Sequence, residues 1–184
     1  AGAASQTLPV TGTVLAYFPA SALDFSASNF ISFPNVSNIP VGNSNYTVET
    51  WIKLQPFSTL GTPPDRNIIE WGNTGSLDQA TGIRINRFGS IQHYWGGTNN
   101  YLSGSTLNIT DGNWHHLAIT YDGTRRSIYF DGQLRAQDNR SNHNVPNANN
   151  LRIGYVSGPQ PNAMQLDELR IYDRELCEQE IQSS

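Results

Sequence analysis

The chain has 184 residues, one domain's length on a scale of roughly 100–200 residues per domain, and enough to bury a core without disulfide help. Hydrophobic residues make up 37% and charged residues 14%, with 4 Trp, 8 Tyr and 7 Phe, a balance that excludes a disordered chain. A net charge of −4, a single lysine at Lys53 and the lack of a basic stripe exclude nucleic acid as a partner, and no apolar run approaches the ~18 residues of a membrane helix, so no membrane insertion is expected.

Residues 1–6 carry neither the basic nor the apolar region of a signal peptide, so an exported form is expected to have lost it already. Runs rich in β-branched and aromatic residues predict strands over 47–54, 67–71, 82–86, 90–95, 115–121, 127–130, 151–156 and 165–172. Asp122-Gly123 and Asp131-Gly132 supply the positive φ of tight hairpins and join three of these segments into an antiparallel meander. Within 115–121, Leu117, Ile119 and Tyr121 share one face while His116, Ala118 and Thr120 share the other. Both faces are apolar enough for sheet-on-sheet packing, which predicts an all-β, two-sheet antiparallel sandwich.

Only residues 173–182 read as helix, with Asp173 as N-cap and Leu176, Cys177, Glu180 and Ile181 as a narrow stripe docking over one end of the sandwich. Cys177, the one cysteine, reads as a small buried hydrophobe. Segments 60–65, 96–105, 139–150 and 157–162 are rich in Pro, Gly and Asn and read as long loops. Sequons at Asn35, Asn45, Asn108 and Asn139 are permissive of secretion.

Several stretches then resemble one family in chain order. They are Ala22-Leu23-Asp24-Phe25 with Phe30-Ile31-Ser32-Phe33, Tyr46-Thr47-Val48-Glu49-Thr50-Trp51-Ile52, and Ile68-Ile69-Glu70-Trp71-Gly72. The most specific are Asn113-Trp114-His115-His116-Leu117-Ala118-Ile119-Thr120-Tyr121-Asp122-Gly123 and Ile128-Tyr129-Phe130-Asp131-Gly132. Leu166-Asp167-Glu168-Leu169-Arg170-Ile171-Tyr172 and the closing Glu180-Ile181 complete the set. Together they resemble the laminin-G-like, concanavalin A-like lectin/glucanase jelly rolls over about residues 22–182, within one domain spanning 1–184. The resemblance implies two packed antiparallel sheets, one concave and one convex. The fold hosts lectins, carbohydrate-binding modules, adhesion domains and glycan-cleaving enzymes.

Sugar recognition needs flat aromatic faces for the C–H side of a pyranose, and planar amides, Arg or His for its hydroxyls. Arg84, His93, Trp95, Asn99, Asn100 and Tyr101, supported by Trp71, have that mixture. Strand alternation sets His93 and Trp95 on one face and Gln92 and Tyr94 on the other, and the first pair is taken to line the groove. Trp51 and Trp114, inside the most family-like strands, read as core. The resemblance also implies a Ca²⁺, with Asp24, Asp167 and Asn29 as its ligands, although Ser26-Ala27-Ser28-Asn29 departs from the family's acidic turn.

For catalysis, no strand presents two carboxylates at alternate positions, and Asp167 and Glu168, being adjacent, point to opposite faces. The expectation is a non-enzymatic, secreted or cell-surface module that binds a glycan or glycoprotein, with a homo-oligomer left open. The alternatives are an adhesion domain with a protein ligand, or a glycan-cleaving hydrolase or lyase with His93 or Tyr94 beside Arg84.

Overall fold

The computed structural model describes residues 14–17, 22–25, 29–34, 36–56, 65–97, 100–107, 109–156 and 163–184. Among them, strands β1 (Val14–Tyr17), β13 (Met164–Tyr172), β4 (Tyr46–Leu54), β9 (Trp114–Tyr121), β10 (Arg125–Phe130) and β11 (Gln133–Asn139) lie side by side in that order, and β2 (Leu23–Asp24) also pairs with β13. A second sheet has the order β3 (Ile31–Phe33), β12 (Leu151–Val156), β5 (Arg66–Gly72), β6 (Ala80–Ile85), β7 (Ser90–Tyr94) and β8 (Tyr101–Thr106). All pairings are antiparallel, giving the expected jelly-roll sandwich.

Period-two patterning fixes which side chains fill the space between the sheets. In β4, Tyr46, Val48, Ile52 and Leu54 enter the core, while Thr47, Glu49, Trp51 and Lys53 face outward. The predicted meander is β9–β10–β11. Asp131 and Gly132 both take positive φ, 50° and 69°, as a two-residue hairpin requires, and the Asp122 carboxylate accepts the N–H groups of Thr124 and Arg125 at 2.8 and 2.6 Å. β8 is a strand where the sequence reads as loop. Its Ser-Gly-Ser-Thr stretch has little strand propensity, and pairing with β7 imposes the extended form.

Helix α1 is Glu178–Gln182, shorter than expected, and its N-cap is Cys177 rather than Asp173. The sheet claims the residues in between. Leu176 N–H donates to Thr47 Oγ1 at 2.8 Å, and that hydroxyl donates to the Arg174 carbonyl at 2.9 Å. Leu176 and Ile181 pack on Ala118, Tyr129 and Tyr172, so the segment covers part of the larger sheet's outer face instead of an end of the sandwich. Cys177 is exposed, and the apolar role falls to its neighbours.

The same outer face carries a buried anion. Glu49 accepts from Tyr172 Oη at 2.7 Å and Arg170 Nη1 at 3.1 Å, and its other oxygen lies 3.5 Å from His116 Nε2. Burial pushes this carboxyl up, but His116, Tyr172 and Arg170 outweigh burial and bring it down to about 2.

Between the sheets sits a polar, aromatic centre. Trp95 Nε1–H donates to Tyr46 Oη at 2.9 Å, leaving the Tyr46 hydroxyl proton for His93 Nε2 at 2.7 Å. His143 stacks on Trp95 at 4.2 Å and Tyr121 meets it edge-on at 5.0 Å. Arg126, 0% exposed, lies 4.5 Å from the Trp95 ring centroid and pairs with Asp138 at 2.8 and 3.0 Å.

Two outcomes follow for stability. Gly154 has φ +73° and faces the Phe25 ring so closely that any Cβ would overlap it. Gly154→Ala is expected to cost roughly 2–4 kcal/mol, from overpacking plus left-handed strain, read as a lower urea midpoint. Burial also holds the His143 imidazole down to about 4, so as pH falls the unfolded chain takes up its proton first, at about 6.5. Stability is therefore complete above that value and declines toward pH 4. His93, depressed by burial and Arg126, acts in the same direction. A pH series of urea midpoints is expected to show this decline, with a shallower slope in His143→Gln.

Candidate functional site

The register of the second sheet builds two rows across its outer face. In one, Arg152 stands opposite Glu70, Glu70 opposite Gly82, Gly82 opposite Tyr94, and Tyr94 opposite Tyr101. In the other, Tyr155 pairs with Asn67, Asn67 with Arg84, Arg84 with Gln92, and Gln92 with Ser103. Arg84 is the hub between the rows. Its Nε donates to Gln92 Oε1 at 2.7 Å, its guanidinium lies 4.5 Å from the Tyr94 ring centroid and 5.6 Å from that of Tyr101, and Asp65 balances its charge at 3.5 Å.

The face is also anchored at its other end. Arg152 forms an ion pair with Glu70 and lies 4.0 Å from the Tyr155 ring centroid. Burial raises the Glu70 carboxyl against the pull of Arg152. The Tyr94 hydroxyl donates to the Thr74 carbonyl at 2.8 Å, which ties the ring to the β5–β6 loop. Gly82 sits among these side chains because a Cβ there would crowd the Ile69 carbonyl at 2.9 Å and Glu70 Cβ at 3.0 Å. Beyond Arg152 the face opens into a pocket of about 510 Å³ lined by Asn73, Asn147, Asn149 and Asn150.

Of the residues picked from sequence, Arg84 and Tyr101 belong to this face. Trp71, His93 and Trp95 do not. All three are 0% exposed; Trp71 Nε1 donates to the Pro40 carbonyl at 2.9 Å, and Trp95 Nε1 and His93 Nε2 both bond to Tyr46 Oη. The alternation argument separated the pairs correctly but took the wrong pair as the outward one. Opposite His93 stands Ile83, from the apolar face of β6; opposite Tyr94 stands Gly82. The Ile83/Ile85 pattern of β6 already marked its inner side. Asn100 is buried and donates to Asp78 Oδ1 at 2.8 Å, bracing the loop. Asn99 lies outside the described residues. Glu70, Asn67, Arg152 and the pocket's Asn147, Asn149 and Asn150 were missed, their one sequence signal being the Asn-rich run at 147–150.

Asp24 and Asp167 lie near the β2–β13 edge of the other sheet. Asp24 pairs with Gln165 and accepts its amide at 3.3 Å, and Asp167, two residues along the same face, accepts the Glu168 N–H at 2.8 Å. Asn29 turns its amide toward the Asp24 carbonyl at 3.5 Å. Among the described residues no three His, Cys, Asp or Glu side chains gather as a metal cage, and no helix is long and apolar enough to cross a membrane.

No curated protein sequence matches the chain. Solved structures with the same fold include the binding domain of Paraclostridial Mosquitocidal Protein 1, at 16% identity and TM-score 0.69 over 94% of this chain and 46% of that one. Trypanosoma rangeli sialidase in complex with sialic acid aligns at 15% and 0.63 over 92% of this chain and 28% of that one. The binding domain of Botulinum Neurotoxin DC in complex with SialylT aligns at 15% and 0.57 over 77% and 35%. The chain spans less than half the length of each, and at these identities the likeness concerns fold. A family profile described as Laminin_G_3, concanavalin A-like lectin/glucanases superfamily, matches residues 25–182, and the chain belongs to that family.

Proposed function

We propose that the chain is a non-enzymatic carbohydrate-binding module whose ligand lies on the outer face of the second sheet. The observation that carries this reading is the juxtaposition of the partly exposed Arg84 and Tyr101 with the Tyr94 ring and the Gln92 amide on one face of the sheet. Ring faces take the C–H side of a pyranose, and forked polar groups satisfy neighbouring hydroxyls. The asparagine pocket beyond Arg152 extends the same chemistry. Fold neighbours in complexes with sialic acid and SialylT support a glycan, free or on a glycoprotein, and with it a secreted or cell-surface setting. Pairing of Glu70 with Arg152 and of Asp65 with Arg84 supports binding over hydrolysis, which needs an acid and a nucleophile free to act.

A structural calcium is a separate proposal. Its support is that Asp24 and Asp167 share one face at the β2–β13 edge, where the ion would draw its other oxygen ligands from Asn29 and backbone carbonyls.

Arg84→Ala and Tyr101→Ala are each expected to fold and to weaken binding to the best ligand from a glycan array by about 1–3 kcal/mol, roughly tenfold to a hundredfold, in calorimetric titration. Parental affinity in both would remove this face as the site. For calcium, excess EDTA is expected to lower the melting temperature of the parent but not of the Asp24→Asn/Asp167→Asn double variant, because only a bound ion stabilises the native state by mass action.

A further inference from the structure

The tryptophans expected to be core are surface residues. Trp51 on β4 and Trp114 on β9 both point out of the larger sheet, diagonal to one another, since Trp51 stands opposite His116 and Trp114 opposite Lys53. Trp114 is 38% exposed and Trp51 half-buried, whereas Trp71 and Trp95 are fully buried. The C-terminal segment covers this face at Ala118, Tyr129 and Tyr172 but leaves both indoles to line a pocket of about 480 Å³, within the size range of small-ligand sites.

We propose that this pocket is a second saccharide site, on the opposite side of the sandwich from the first, and that it takes a neutral pyranoside. The two indoles supply apolar ring faces from adjacent strands. Hydroxyl partners stand at the rim. The Asp131 carboxylate is fixed by the His116 N–H at 3.0 Å and by His115 Nδ1 at 2.9 Å, and the Gln182 amide is held to the Gly132 carbonyl at 3.3 Å. Trp51 is braced from beneath by the His116 ring, 5.5 Å between centroids, and His116 in turn rests against Glu49. The platform is thus preorganised. Neutrality follows from the charges. Among the described residues the lining includes the carboxylate of Asp131, already paired with His115, and neither Lys nor Arg. An acidic sugar would find no guanidinium or ammonium group in that lining, whereas the first face presents Arg84 and Arg152.

The test is a ¹H–¹⁵N titration of the parent chain with methyl β-D-glucopyranoside, methyl β-D-galactopyranoside and methyl α-D-mannopyranoside, and separately with N-acetylneuraminate. At least one neutral glycoside is expected to shift the indole N–H signals of Trp51 and Trp114 while those of the buried Trp71 and Trp95 stay in place. Trp114→Ala is expected to weaken that binding at least tenfold, and Arg84→Ala to leave it unchanged. No shift at either surface indole with any neutral glycoside, or a response to N-acetylneuraminate alone, overturns the proposal. Because the parent gives the primary readout, the result stands even if Trp114→Ala folds poorly. Failure here leaves the Arg84 and Tyr101 dependence of the first face untouched.

Discussion

A guanidinium with no exposed surface has to be neutralised without water, and much of this sandwich is arranged around doing so for Arg126. Two of its nitrogens pair with Asp138 on the neighbouring strand β11, a third donates to the His93 carbonyl of the facing sheet at 3.4 Å, and the Trp95 ring covers it. Removing Asp138 would strand the Arg126 charge in the core, a change that typically costs about 3–5 kcal/mol. The guanidinium's contacts with the His93 carbonyl and the Trp95 ring tie β10 of one sheet to β7 of the other.

That constraint reaches the outer surface through period-two alternation. Once His93 and Trp95 are committed to Tyr46, His143 and Arg126, β7 must turn Gln92 and Tyr94 outward. The Arg84–Gln92–Tyr94–Tyr101 face is thus the reverse side of the core centre. The rigidity of one is inherited by the other, because the side chains of this face are held by sheet pairing and by the Tyr94–Thr74 hydrogen bond.

The larger sheet divides its outer face differently. Leu176 and Ile181 seal the apolar part around Tyr129 and Tyr172, and Thr47 holds the segment in place through hydrogen bonds to Leu176 and Arg174. Glu49 stays ionised beneath that covering because Tyr172, Arg170 and His116 supply donors in place of water. The rest of the face keeps two tryptophans in the open.

The alternating runs of β4, β9 and β13, the two Asp-Gly turns and the family-like segments determined the jelly roll from sequence alone, because hairpin chemistry and period-two burial are local properties. Arg84 and Tyr101 were legible for the same reason, being the right residue types on neighbouring strands. What sequence could not decide was direction. Three of the four tryptophans lie on strands and Trp95 directly follows β7, and packing of the facing sheet determines which ring is enclosed. Trp71 and Trp95 meet that sheet; Trp51 and Trp114 face away from it. The length of α1 was equally a tertiary matter, since a hydroxyl on β4 captures the backbone that a free segment would have wound into helix. Local pattern specifies the pleat, and long-range packing alone specifies which side of it is dry.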